Sequence, residues 1–207
     1  MSEQTKKKII DAALSLFKEK GFHEVSVRMI AKEAGISNGG FYHHFHSKDE
    51  LLYQLNDFIL TYVMETGKAV AKERESAIEK LESMIRAFIR VFDVYNLEVT
   101  IMYRENHYLA PEYYEKIKQK RDEYQQYIFS IIEEGIQAGD IRSNTPLLLN
   151  GMAIFGMVNW TYQWYEKNRS ILIDNIADVY IDFIFNALMT KRAKLNPNYH
   201  QYFLDDE

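Results

Sequence analysis

The 207-residue chain contains no cysteine. That absence excludes disulfides, thiolate zinc sites and cysteine nucleophiles together, and it fits a reducing compartment. No export signal is expected either. The opening stretch, MSEQTKKKIIDAALSLF, is basic but has no apolar run of signal length and no small-residue cleavage site, which predicts a cytoplasmic protein. Sustained apolar and polar alternation between turn dipeptides is missing, so hairpins and sheets are not expected. The chain has no G-x-G-x-x-G, P-loop, H-E-x-x-H or G-x-S-x-G. No motif names a reaction, and neither an enzyme nor a cofactor is expected.

What is present is unevenly spread charge and helical periodicity. The formal net charge is -5; Met1 to Glu50 carries 8 Lys+Arg against 7 Asp+Glu, a balance of +1, and the remainder carries 17 against 23, or -6. An acidic whole argues against a nucleic-acid partner, but its first quarter departs from that balance.

Apolar residues recur at helical spacing along nearly the whole chain, which predicts an all-α fold of about nine helices. The first runs roughly from Lys6 to Lys20, with Ile9, Ile10, Ala13, Leu14 and Phe17 on one stripe and Gly21 as its stop. A short second helix follows Ser26 as N-cap and ends at Gly35, and a third segment covers Asn38 to Phe45. Two short helices joined by the tight turn Gly35-Ile36-Ser37 make a helix-turn-helix. Ser47-Lys48-Asp49-Glu50 reads as a full capping box opening a long helix, with Lys68 to Ser76 as its solvated end and connection. Periodicity resumes from Ile78 to Phe92. Further helices are expected from Leu97 to Leu109, from Pro111 to a stop at Gly139, from the cap-plus-proline pair Thr145-Pro146 to about Glu166, and from about Ile171 to Arg192, with a frayed tail after Asn196-Pro197.

The helix from Pro146 leaves little polar face. Asn150 and Asn159 interrupt an apolar run already shorter than the roughly 20 residues a bilayer needs. Such a helix needs cover on two faces; a second copy of the chain supplies the second, unless the helix lodges inside its own monomer.

From Lys8 to Leu55 the sequence, with IIDAALSLFKEKGFHEVSVRMIAKEAGISNGGFYHHFHSKDELLYQL, resembles the DNA-binding part of the tetracycline-repressor (TetR) family of one-component bacterial regulators. The resemblance rests on the phenylalanine-terminated first helix, the Gly21-Phe22 exit, Ile30-Ala31-x-x-Ala34-Gly35-Ile36-Ser37, the Tyr42-x-x-Phe45 pair and Lys48, all in register. It implies a three-helix DNA-binding domain over residues 1–50, a helical ligand-binding and dimerisation domain over 51–195, and a tail over 196–207. It further implies a homodimer built on the helices at about 146–166 and 171–192. The implied function is a repressor that binds a palindromic double-stranded operator through residues 26–48 and is released by a small-molecule effector, with no membrane partner.

A recognition helix enters a major groove about 12 Å wide by its N-terminal end, where glycine lets the backbone approach bases or phosphates. Gly39 and Gly40 suit that position, and a plain loop is the alternative. Phosphate contacts are expected from Ser26, Arg28, Ser37, Tyr42, His43 and Lys48; Tyr42 and Lys48 match family positions that clamp the DNA backbone. Asn38, Gly39, Gly40, His43 and Arg28 are the candidates for base contact, and part of the readout falls to DNA shape. His43 and His46 stand one turn apart, as metal ligands would, but only Asp49 offers a third donor, so no metal is expected. Phe41 and Phe45 read as core.

For the effector, Phe88, Phe92, Tyr103, Tyr124, Ile128, Phe155 and Trp160 are candidate lining residues of an apolar pocket, with Arg104, Lys167 or Arg169 as cations near its mouth. An aromatic stripe at this spacing serves equally as simple core, and Arg104 with Glu105 also suits a structural ion pair. Tyr103-Arg104-Glu105, Leu109-x-Pro111-Glu112 and Trp160-x-x-x-Trp164-Tyr165 look like the family branch that senses acyl-CoA or fatty-acid derivatives. The alternatives are a cationic drug-like effector held by aromatic rings and a helical adaptor that binds a protein partner in place of DNA.

Overall fold

The computed structural model describes residues 2–167 and 171–204. The described chain is helical, as its periodicity predicts: α1 (Ser2–Lys20), α2 (Val27–Glu33), α3 (Asn38–Tyr42), α4 (Lys48–Lys72), α5 (Ala77–Val94), α6 (Asn96–Glu105), α7 (Pro111–Gln137), α8 (Leu147–Trp164), α9 (Ile173–Leu188) and α10 (Lys191–Lys194). Single 3-10 turns occupy Asn106–Tyr108 and Pro197–Tyr202. Among the described residues no helix is long and apolar enough to cross a membrane.

The chain forms two compact units, one from Met1–Leu60 with Leu97–Lys120 and the other from Thr61–Asn96 with Arg121–Glu207. The first is built on the apolar stripe of α1. Ile9, Ala13 and Phe17 are fully buried against Ile30 of α2, Phe41 and Phe45 of the α3 segment, and Leu51 and Leu52 of α4. Ile101, Leu109 and Ile117 join the same core, so α6 and the start of α7 pack with the helix-turn-helix. Each buried leucine-sized or phenylalanine side chain contributes about 1.5–3 kcal/mol, which is what holds helices as short as α2 and α3 in place.

Local signals fix their geometry. Ser26 caps α2 by accepting the Met29 N–H at 3.3 Å. The helix then stops in a Schellman turn: Gly35 takes φ +67°, the Ile36 N–H donates to the Ala31 carbonyl at 3.0 Å and the Gly35 N–H to that of Lys32 at 3.2 Å. Only glycine adopts that φ without strain. Ser37 immediately caps α3, accepting the Gly40 N–H at 3.1 Å.

In the second unit α5 packs mainly on α9 and also on α8. Arg86 and Arg90 reach across to Asp178 and Asp174 at 2.9 and 3.0 Å, and Lys80 bridges to Glu134 of α7 at 2.7 Å.

Several expectations are corrected. The first helix begins at Ser2 rather than Lys6, and α3 ends at Tyr42 instead of Phe45. At the start of α4, Ser47 accepts the Glu50 N–H, but the Glu50 carboxylate takes the His46 N–H, so half the capping box forms. The complete box lies at Ser76 and Glu79, where both reciprocal bonds are made. Thr145 does not cap α8; Pro146 stands at the N-cap, and the Thr145 hydroxyl accepts from Asn150 instead. The last long helix stops at Leu188 because Met189 pairs as an isolated antiparallel bridge with Ile141 and Thr190 caps α10. The tail is not frayed over Pro197–Tyr202: Tyr199 is buried and the Tyr202 ring meets Phe185 edge-on.

Candidate functional site

The polar face of the helix-turn-helix collects most of the residues expected to meet DNA. Ser26, Arg28, Ser37, Asn38, Gly39, Tyr42 and His43 are exposed, and Gly40 is half-buried. Behind them Phe41 and Phe45 are fully buried, with the Tyr42 ring edge-on to Phe41, so the outward residues ride on an anchored helix. Lys6, Lys7 and Lys8 of α1 are exposed as well, and the Lys6 ammonium lies 5.6 Å from the Phe45 ring.

The two glycines are informative because nothing inside the fold requires them. Neither has positive φ. A Cβ on Gly39 would come no closer than 3.7 Å to Ser37 Oγ, and one on Gly40 would meet Ile36 at 3.5 Å, both ordinary contacts. Glycine in a helix costs about 1 kcal/mol relative to alanine. The packing around the exposed start of α3 thus leaves this cost without an internal reason.

Lys48 is placed differently from the expectation of a free phosphate clamp. Its ammonium donates to the carbonyls of Phe22 and Val25, each at 2.7 Å, with His23 at 3.4 Å, and sits 4.2 Å from the centre of the Phe22 ring. Burial lowers its pKa, while Asp49 and then Glu24 act in the opposite sense. Only the ammonium form has three N–H donors, one for each of these carbonyl oxygens, and in this position Lys48 ties the α1–α2 loop down. The same loop is covered by Tyr108, whose ring stacks on Phe22 and His23 at 5.7 and 5.9 Å. No sequence pattern pointed to Tyr108.

Of the expected effector residues, the second unit brings Phe88, Phe92, Tyr124 and Phe155 into one aromatic cluster. Phe88 stacks on Phe92 and meets Tyr124 and Phe155 edge-on, with centroids 6.0–6.4 Å apart. Ile128 is buried one turn after Tyr124 on α7. Tyr103 and Arg104 belong to the other unit, where Arg104 is half exposed and lies 3.8 Å from the buried Glu105 carboxylate. Lys167 is tied to the Asp93 carbonyl at 2.8 Å, and Arg169 lies outside the described residues. Trp160 is not in the cluster at all, being 62% exposed.

Trp160 belongs instead to an open apolar face. Leu148, Met152, Gly156, Trp160 and Trp164 follow one another every fourth residue along α8, with Leu149 beside them and Val179 and Phe183 outward on α9. Ridges at this spacing are what helices use to pack on one another. Gly156 has nothing within 4 Å of where a Cβ would sit, which leaves a notch in the ridge.

Among the described residues, no group of three or more His, Cys, Asp or Glu side chains converges as a metal site would require.

Comparison with known proteins decides the lineage. Residues 9–55 match the family model for bacterial regulatory proteins of the tetR family. Residues 74–188 match the tetracyclin repressor-like C-terminal domain. The chain belongs to the tetR family. The fatty acid metabolism regulator protein of Bacillus subtilis (strain 168) is 30% identical over 185 residues, covering 88% of this chain and 95% of that one. Two solved structures share the fold. The ketosteroid transcriptional regulator KstR2 of Mycobacterium tuberculosis superposes with TM-score 0.82 at 21% identity, over 90% of this chain and 95% of that one. AibR in complex with isovaleryl coenzyme A and operator DNA superposes with TM-score 0.77 at 22% identity, over 87% and 98%. Membership of a family of regulators agrees with a chain that is not an enzyme.

Proposed function

We propose that this tetR-family chain is a cytoplasmic, ligand-responsive transcriptional repressor that binds a palindromic operator as a homodimer and leaves it when a small apolar effector binds. The observation that carries the DNA reading is the exposed, unstrained Gly39-Gly40 pair opening α3, ringed by Ser37, Asn38, Tyr42 and His43. Residues 1–50 act as the DNA-binding head, 51–195 as the effector and dimerisation domain, and 196–207 as the tail. Ser37, Tyr42 and Arg28 contact phosphates, and Asn38, Gly39, Gly40 and His43 lie against base edges.

The second copy covers the open face of α8 and α9. Exposed Leu148, Leu149, Met152, Trp160 and Phe183 are too many large apolar side chains for one solvated surface, and a two-fold pairing of these helices buries both copies' ridges at once. Two heads so joined meet half-sites about 34 Å apart.

Effector binding falls to the aromatic cluster of Phe88, Phe92, Tyr124 and Phe155, with Ile128 beside it. An acyl-CoA or related acyl derivative is the favoured class, because the cluster is apolar and a 30% identical relative is a fatty acid metabolism regulator. Release is a population shift toward a head spacing that no longer fits both half-sites.

The test is a fluorescence anisotropy titration on a duplex selected from a randomised pool, repeated with acyl-CoAs. Tight, salt-sensitive binding that Tyr42→Ala weakens and acyl-CoA reverses is expected. Absence of any selected duplex, or undiminished binding by Tyr42→Ala with Arg28→Ala, would overturn the head assignment.

A further inference from the structure

The Tyr124 hydroxyl is the one polar atom of the aromatic cluster, and it is an orphan. Tyr124 is 6% exposed and its phenol oxygen has no hydrogen-bond partner. A buried donor left unpaired costs about 1–3 kcal/mol, and native proteins keep few of them. A phenylalanine at this position would fill the same space without that cost.

The fold also makes room for this hydroxyl. A Cβ on Gly67 of α4 would lie 2.8 Å from Tyr124 Oη and 3.4 Å from the Met84 methyl, so glycine at 67 is what lets the phenol tip stand where it does. The ring that carries it meets Phe88 and Phe155 edge-on. Burial pushes the phenol's pKa well up, and Tyr127 acts in the same direction. The group is thus a neutral donor.

Resting on the reading of this cluster as the effector site, we infer that Tyr124 is the polar anchor of that site and donates its phenol proton to a neutral acyl carbonyl, that of a thioester or ester. A free carboxylate would be buried among aromatic rings with no counter-charge, which is far costlier than burying a carbonyl. An organic cation offers the phenol proton no acceptor and would leave the buried donor unpaired. The carbonyl satisfies the orphan donor and the apolar chain covers the rings, so the ligand's two parts match the two characters of the site.

The experiment compares S-acyl-CoA thioesters of four, eight and sixteen carbons with the S-alkyl-CoA thioethers of equal length, which lack only the carbonyl, by calorimetry on wild type, Tyr124→Phe and Gly67→Ala. At the best-binding length the wild type should prefer the thioester by about tenfold or more, a difference of about 1.4 kcal/mol. Tyr124→Phe should bind both with equal affinity while melting at or above the wild-type midpoint, and Gly67→Ala, which displaces the phenol, should lose the same preference. Equal binding of thioester and thioether by the wild type, or a preference retained in Tyr124→Phe, would overturn the anchor and leave the acyl-CoA reading standing. The free fatty acid binding as tightly as the thioester would overturn the neutral-carbonyl claim. No CoA derivative bound by the wild type at any length would overturn the acyl-CoA reading and the anchor with it.

Discussion

Substituting alanine for Gly39 or Gly40 should move stability and DNA affinity in opposite directions. Both residues are helical with ordinary φ, and the added methyl would meet its nearest neighbour at 3.7 Å for Gly39 and 3.5 Å for Gly40. Alanine is therefore tolerated locally. It stiffens the unfolded chain and removes the glycine penalty, together about 0.5–1 kcal/mol of added stability per site. For a chain of this size that raises the thermal midpoint by about 1–4 °C. Against DNA the same methyl stands between the backbone and a groove edge, and a tenfold loss of affinity corresponds to about 1.4 kcal/mol. Thermal melts followed by circular dichroism, with anisotropy on one duplex at one salt concentration, read both effects on the same samples. Variants that melt higher and still bind with wild-type affinity would refute the claim that these glycines face nucleic acid. Variants that melt lower would refute the claim that the fold has no use for them.

Lys48→Met should destabilise the head by about 1–3 kcal/mol, because the Phe22 and Val25 carbonyls lose their shared donor. The slope of log affinity against log salt should stay put in that variant, while Arg28→Ala lowers it by about 0.9; the reverse pattern would restore Lys48 as a phosphate contact. Gly156→Leu fills the notch in the α8 ridge and should convert dimer to monomer in light scattering with helicity unchanged; a persistent dimer would place the interface elsewhere. Ser76→Ala should cost about 1 kcal/mol, and urea melts across pH give a second check. The Ser76 backbone N–H, then its hydroxyl, hold the Glu79 carboxyl below its ordinary pKa, so this support is present above the unfolded carboxylate pKa. It fades as pH falls through the lower folded value, and a gap between wild type and variant that stays constant into acid would exclude Glu79 from the box.

How much of this was legible beforehand depends on what each feature answers to. Helix stripes such as Ile9, Ala13 and Phe17 were readable because burial imposes the 3.6-residue period on the sequence itself. The stops at Gly21, Gly35 and Gly139 were readable because each takes a positive φ. Long-range partners were not. Nothing near Met189 announces the backbone pairing with Ile141 that ends α9, and nothing near Lys48 names the carbonyls of Phe22 and Val25, more than twenty residues back. Trp160 illustrates the same limit, since helical spacing shows which residues share a stripe but not whether that stripe turns inward or out. The Ser76-x-x-Glu79 box carries its signal in the sequence itself, at the end of the charged stretch from Lys68 to Ser76.

The candidate sites were legible in a different sense, as residues that local rules disfavour. Gly39 and Gly40 weaken the helix they open, Gly156 sits in an apolar ridge where leucine would pack better, and Tyr124 carries a hydroxyl into an aromatic cluster. In the sequence each has an internal excuse available, because a glycine can serve a turn and a tyrosine can find a partner. The structure removes those excuses one at a time: ordinary φ and no clash for an added methyl at the glycines, an unpaired oxygen at the phenol. Local choices that conflict with the fold and have no compensation inside it are where the fold is serving something else. Here the three conflicts fall in three separate places, and each fits a proposed partner: a duplex at the head, a second copy along α8, and an acyl carbonyl at Tyr124. A repressor that must release its operator on command needs all three.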